Sequence, residues 1–173
     1  EKLLAFLMSD FGFSESRLAA VFSGGRGYHI HVRDQRILSL GSDERREIVD
    51  YLAGRGLEMD RFIVMAPMEG DWGKDRAFRL RAPAAEAAGW GKRINRSIVS
   101  FVHSLRQQSE ADAIALLSKR KGIGPKRASS FYHSLQKENV LKEIASGNLD
   151  LFRGSAPIWK ILLEEFLDEE GVN

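Results

Sequence analysis

The sequence predicts an α+β fold, a β-hairpin with packed helices followed by an all-helical part. Three observations carry this. Two short apolar runs flank a glycine-rich reversal at Ser23–Gly27; an irregular stretch bearing Trp72, Trp90, Pro67 and Pro83 interrupts the middle; and apolar residues recur at helical spacing from Arg93 onward. They divide the chain into 1–68, carrying the hairpin, a linker at 69–92, and a helical subdomain at 93–173. The 173 residues are 43% hydrophobic and 29% charged, enough apolar content for a core. The absence of cysteine excludes disulfides and thiolate metal sites within the sequence. No apolar run matches a bilayer-spanning helix and nothing resembles a secretory signal, so no membrane partner is expected and the expected address is cytoplasmic and nucleoid-associated.

Leu3, Leu4, Phe6, Leu7 and Met8 have helical spacing dense enough for burial on more than one side, so Lys2–Ser9 is expected to end a longer helix. Ala19–Phe22 is a run of buried-strand type, and Tyr28–Val32 alternates, with Tyr28, Ile30 and Val32 on one face and His29 and His31 on the other. Ile37–Leu40 reads as a short extended or turn segment. Ser42 is expected to cap a helix whose first turn carries Asp43 and Glu44, and Gly54 to end it. Capping and exposure account for Asp43 and Arg46. Leu57–Val64 returns to a strand pattern that ends near Pro67.

Ser23, Gly24, Gly25, Arg26, Gly27 and His29 converge on one small site. Glycines leave backbone N–H groups unshielded, and exposed amides beside a guanidinium, a hydroxyl and an imidazole suit the oxygens of a polyphosphate. An ordinary hairpin with a solvated arginine is the competing reading.

In the helical part, Ile94, Ile98, Phe101, Val102 and Leu105 define one amphipathic helix and Ala111, Ile114, Ala115 and Leu117 the next; His103 reads as a core-edge residue. Phe131, Leu135, Val140, Leu141 and Ile144 continue the core, and Ile158, Trp159, Leu162, Leu163, Phe166 and Leu167 build the last helix. The acids from Glu164 to Glu170 read as a solvated face. Trp72 and Trp90 suit either base stacking or anchoring of the linker. Residues 72–133 hold 13 Lys and Arg against 4 Asp and Glu, whereas 134–173 hold 4 against 8. A basic middle suggests a surface facing a polyanion. Within it, Lys121, Gly122, Gly124, Lys126 and Arg127 form a Gly-Ile-Gly turn that resembles the hairpin of a helix-hairpin-helix DNA-binding motif, with Leu117, Ile123 and Ala128 in place and Arg120 where an aliphatic residue is usual. That resemblance implies phosphate binding by backbone amides. A plain helix stop at Gly122 followed by a helix start at Pro125 explains the same residues.

Ser-Gly-Gly-Arg-Gly-x-His followed by an alternating strand resembles the nucleotide-binding motif of the archaeal-eukaryotic primase superfamily, specifically the DNA primase small (catalytic) subunit. Asp10-Phe11-Gly12-Phe13 and Arg46–Leu52 resemble its archaeal members, and the match is specific over about residues 3–57. The resemblance implies that residues 1–68 are part of the primase catalytic α/β core, and that Ser23, Arg26 and His29 contact the triphosphate of an incoming nucleotide. Some relatives carry a second basic residue where Gly25 stands. The implied activity is synthesis of short primers on single-stranded DNA by nucleotidyl transfer, with nucleoside triphosphates, template, primer and a primase large subunit as partners. The family's metal-binding aspartates, an Asp-x-Asp pair before this motif and a third well after it, have no counterpart here. Magnesium or manganese is therefore expected on ligands outside this sequence, as is any zinc, and the chain is expected to be an inactive piece of a complete subunit. The polymerase domain of bacterial end-joining ligases carries a similar Ser-Gly-Gly-Lys-Gly-x-His; the arginine, the DFGF segment and the helical part favour primase. The alternative from another class is a non-catalytic nucleic-acid-binding module using the Gly122 turn and the basic middle.

Overall fold

Apolar alternation on either side of a glycine turn folds Leu18–Phe22 (β1) and Tyr28–Val32 (β2) into an antiparallel hairpin, in register from Leu18 opposite Val32 to Phe22 opposite Tyr28. The computed structural model describes residues 1–25, 27–67 and 78–172. By contacts the chain forms two units, Glu1–Leu57 with Glu170–Asn173, and Glu58–Glu169.

In the first unit, helix α1 (Lys2–Ser9) buries Phe6 and Leu7, while Met8 is 43% exposed, a narrower apolar face than its composition suggests. Helix α2 (Ser42–Ala53) is capped by Gly41, not by Ser42, which stands at the first helical position without a capping hydrogen bond. Gly54 ends it at φ +70°, as expected. Tyr51 on α2 meets Phe6 and Phe11 edge-on, at centroid distances of 6.2 and 5.5 Å. Of the two readings of Ile37–Leu40, the turn is what forms, following a 3-10 turn at Gln35–Ile37 that the Asp34 carboxylate caps by accepting the Arg36 N–H. β1 is not a buried strand. Val21 and Phe22 are exposed, since the hairpin forms a sheet of two strands and no third pairs with it among the described residues.

In the second unit the predicted strand ends at Pro67 as expected but starts later, at Val64 (β3, Val64–Pro67), after a 3-10 turn at Met59–Arg61. β3 pairs antiparallel with Phe78–Arg81 (β4). Trp72 and Arg76 lie outside the described residues. The segment 145–149 runs along the β4 end: Leu149 N–H donates to the Leu80 carbonyl, Ala82 N–H to that of Gly147 and Ala85 N–H to that of Ala145, at 2.8–2.9 Å. Helix α3 (Gly89–Arg106) starts four residues before the predicted Arg93. Gly91 does not break it but admits close packing; a Cβ there would stand 3.1 Å from that of Ala87 and 3.3 Å from that of Pro83. Trp90 is buried in its first turn, anchoring the chain to the core.

Ile94, Ile98, Val102 and Leu105 are fully buried along α3, and His103 is exposed beside them. Helix α4 (Glu110–Ser118) buries Leu117 as expected, and Ala113 in place of Ala111 and Ala115. It starts at the Ser109 cap, whose hydroxyl accepts the Asp112 N–H. Helices α5 (Pro125–Leu135) and α6 (Val140–Ala145) follow, then α7 (Ala156–Glu170), which buries all six predicted residues from Ile158 to Leu167. Trp159 packs edge-on against Phe131 at 5.1 Å. With seven helices and two small antiparallel sheets described, the fold is α+β. Among the described residues no helix is long and apolar enough to cross a membrane.

Candidate functional site

The loop joining β1 to β2 is closed by one carbonyl. The Gly27 oxygen accepts both the Ser23 N–H at 2.9 Å and the Ser23 hydroxyl at 2.8 Å. Opposite pairs alternate faces along the hairpin, so Val21–His29 and Ser23–Gly27 share one side and Phe22–Tyr28 takes the other. Ser23 and His29 are both exposed on that shared side. Arg26 lies outside the described residues. On the opposite side the Phe22 and Tyr28 rings meet at 5.5 Å and are 56% and 72% exposed.

The three glycines do different things. Gly24 adopts φ +78°, where an L-residue costs roughly 1–2 kcal/mol. Gly25 and Gly27 are not in the left-handed region, and a Cβ at either would meet nothing within 4 Å. Neither conformation nor packing requires glycine at those two positions. What the missing side chains preserve is open approach to the loop backbone.

After β2, Arg36 grips Asp34 through two parallel contacts, Nε to Oδ1 at 3.0 Å and a terminal nitrogen to Oδ2 at 2.9 Å. These hydrogen bonds hold the Asp34 carboxyl down to about 2. The same guanidinium lies 4.9 Å over the Phe13 ring. Asp10 accepts the Tyr51 hydroxyl at 2.8 Å and also bonds the Ser9 hydroxyl. A cavity of about 480 Å³ opens between Asp10, Phe11, Glu44, Glu47 and Tyr51. Its carboxylates make no metal centre: among the described residues no three His, Asp or Glu side chains come together to hold an ion.

In the second unit the Gly-Ile-Gly turn links α4 to α5. Gly122 takes φ +96°, Ile123, Leu117 and Ala128 are buried, and Pro125 opens α5. Lys121, Gly124, Lys126 and Arg127 are exposed. Arg120 fills the position where the motif usually has an aliphatic residue by lying flat. Its Nε donates to Glu165 at 2.8 Å, a terminal nitrogen donates to the Leu116 carbonyl at 2.9 Å, and the group lies 5.4 Å from the Phe101 ring centre. Glu165 is thus an ion-pair partner inside the acidic run read as solvent-facing. Sequence pattern could not find it, because the two residues are 45 apart. Asn95 was equally unsignalled. It is 3% exposed, and its amide donates to the carbonyls of Pro83 at 2.8 Å and Ile144 at 3.0 Å.

Comparison with known proteins gives the family. The family model described as "DNA primase small subunit" matches residues 1–150. The chain is 51% identical over 168 residues to the DNA primase small subunit PriS of Methanothrix thermoacetophila, covering 97% of this chain and 42% of that protein. It is 40% identical to PriS of Methanococcoides burtonii over 97% of this chain and 43% of that one, and 39% identical to PriS of Haloarcula marismortui over 95% and 41%. The chain therefore spans less than half the length of these relatives. No solved structure matches it. On the strength of the family match and of identities that run nearly its whole length, the chain belongs to the DNA primase small subunit family.

Proposed function

We propose that this chain supplies the triphosphate-binding loop of a DNA primase small subunit, an enzyme that joins nucleoside triphosphates into short primers on single-stranded DNA by nucleotidyl transfer. The observation that carries this reading is the pair Gly25 and Gly27, which no strain or contact requires and whose bareness leaves the loop amides open to an anion. Arg26 neutralises charge on the triphosphate, His29 donates to a phosphate oxygen, and Ser23 orients the group from its place against Gly27. Phosphoryl transfer depends on positioning and charge neutralisation, so losing one such cation slows the chemistry as well as weakening binding.

The divalent ions that such transfer uses would sit on carboxylates outside this chain, as the resemblance to the primase motif implies, and the chain alone would then be inactive. In the complete subunit its partners are template, primer and a primase large subunit, and its place is the nucleoid. The test is Arg26→Ala in a complete small subunit, where the nucleotide KM rises and kcat falls. Unchanged kinetics would remove the assignment.

A second reading has its own support. Lys119, Lys121, Lys126 and Arg127 surround the Gly122 turn, and none makes an ion pair among the described residues. A nucleic-acid-binding surface formed by Lys121, Gly122, Gly124, Lys126 and Arg127 accounts for cations kept together without counter-ions. The two readings suit different parts of one protein.

A further inference from the structure

We propose that the groove between α5 and the start of α7 seats a backbone phosphate of a nucleic-acid strand, with Lys126 and Arg127 as its counter-ions and Ser130 and Ser155 as its hydroxyl donors. This rests on the second reading above and deepens it by naming the seat.

The groove encloses about 360 Å³ and is lined by Lys126, Arg127, Ser130, Gly154, Ser155 and Ile158. Lys126 makes no hydrogen bond or ion pair among the described residues, and the one contact of Arg127 is a long bond, 3.4 Å, to the Gly122 carbonyl. No aspartate or glutamate occurs between Ser118 and Leu135, a stretch holding five Lys and Arg. Among the described residues, Arg120 alone of the five is neutralised, by Glu165. Like charges so arranged repel one another, and a bound polyanion is what relieves them.

The lining also says which polyanion. Among the described residues it contains no aromatic side chain, so they offer no platform on which a base could stack. A free nucleotide would leave its base unheld, whereas a strand needs only its backbone gripped here. Cations and hydroxyls reach phosphate oxygens without reading sequence. The seat is also continuous with the turn. Gly122 lies so close to α7 that a Cβ would stand 3.1 Å from the Ile161 Cδ1, and Ile161 is one helical turn beyond Ile158. Lys119 and Lys121 therefore extend the positive surface from the groove along the same side of α7. Gly154 completes it, with nothing within 4 Å of where its side chain would begin.

The test measures anisotropy of labelled oligothymidylate and of a labelled duplex across a salt series, using both this chain and a complete small subunit that carries it. Lys126→Ala combined with Arg127→Ala should weaken binding about tenfold at low salt. It should also lower the salt slope by about 1.4 if a single strand is held or about 1.8 if a duplex is. Gly154→Asp is the variant that keeps the fold. Its carboxylate enters open space just before α7, where an acid favours the helix, so thermal stability should hold or rise while binding falls about tenfold. Full binding by both variants overturns the seat. If only Lys119→Ala with Lys121→Ala loses binding, the second reading stands and the seat falls; if wild type binds neither oligonucleotide, both fall. Equal competition by polyglutamate or by anionic phospholipid vesicles overturns nucleic acid as the class. Binding of a labelled nucleoside triphosphate, which depends on the hairpin, should be unchanged in all these variants.

Discussion

The Ser23 hydroxyl and the Ser23 backbone N–H both donate to the same Gly27 carbonyl, at 2.8 and 2.9 Å, so one oxygen closes the loop between β1 and β2. A serine that serves as a clamp holds its neighbours in place even before a ligand arrives. Ser23→Ala should cost about 1 kcal/mol of hairpin stability or less, the exposed bond being weak. Nucleotide affinity in a complete subunit should fall several-fold, with Ser23→Thr restoring it. Calorimetric titration of a nucleoside triphosphate reads this directly.

The glycines can be separated by substitution. Gly24→Ala should destabilise by about 1 kcal/mol, because only that position needs positive φ. Gly25→Ala should leave the melting temperature unchanged and still weaken triphosphate binding, since its Cβ would project only into the approach path. Equal stability loss in the two variants would contradict the distinction.

Asp34 carries a pH dependence whose sign is fixed. Its carboxyl is held at about 2 by the Arg36 hydrogen bonds, against an ordinary value of 3.8. A group whose pKa falls on folding contributes stability that is complete above its unfolded value and is lost as pH drops through its folded one. Denaturant melts should show this component fading between about pH 4 and pH 2. Asp34→Asn should remove it and flatten that part of the curve.

Arg120 and Glu165 are half-buried partners, with side chains 18% and 38% exposed. Glu165→Gln should cost about 1–2 kcal/mol by leaving the guanidinium without its acid. Arg120→Leu, which restores the usual aliphatic residue, should be closer to neutral, because apolar replacement of a buried ion pair is often tolerated. Thermal melts of the two variants give the comparison.

Gly147 should accept no side chain. It stands at φ +78°, and a Cβ would come within 2.4 Å of the Ala82 carbonyl oxygen, which is backbone and cannot swing aside. Gly147→Ala should therefore destabilise by more than about 2 kcal/mol, visible as a lowered melting temperature.

Much of this was legible in the sequence. The hairpin followed from an apolar run and an alternating one around glycines, within one residue at the start of β1, and the six buried residues of α7 from their spacing, since both signals are local. β1 was misjudged as buried because an apolar run reports that a strand can be covered, not that the described residues cover it. The cap of α2 slipped by one residue, Gly41 for Ser42, an error typical of helix ends. The start of β3 was placed early because the 3-10 turn at Met59–Arg61 interrupts what looked like a continuous strand. Of the candidate loop, residue types and spacing were readable, but the clamp between Ser23 and Gly27 and the idle backbone angles of Gly25 and Gly27 were not. The partnerships of Arg120 and Asn95 span 45 and 49 residues, and no periodicity encodes a contact that distant.

The amide of Asn95 ties the start of the helical part to its middle, and the 145–149 segment is laced to β4 by three backbone bonds. Both ties fix the 144–149 segment to the 80–85 segment. Helix α6 therefore has no independent way to fray: its protons and those of β4 should exchange with solvent in a single step, at a common opening energy, and the Glu58–Glu169 unit should melt cooperatively instead of unravelling helix by helix.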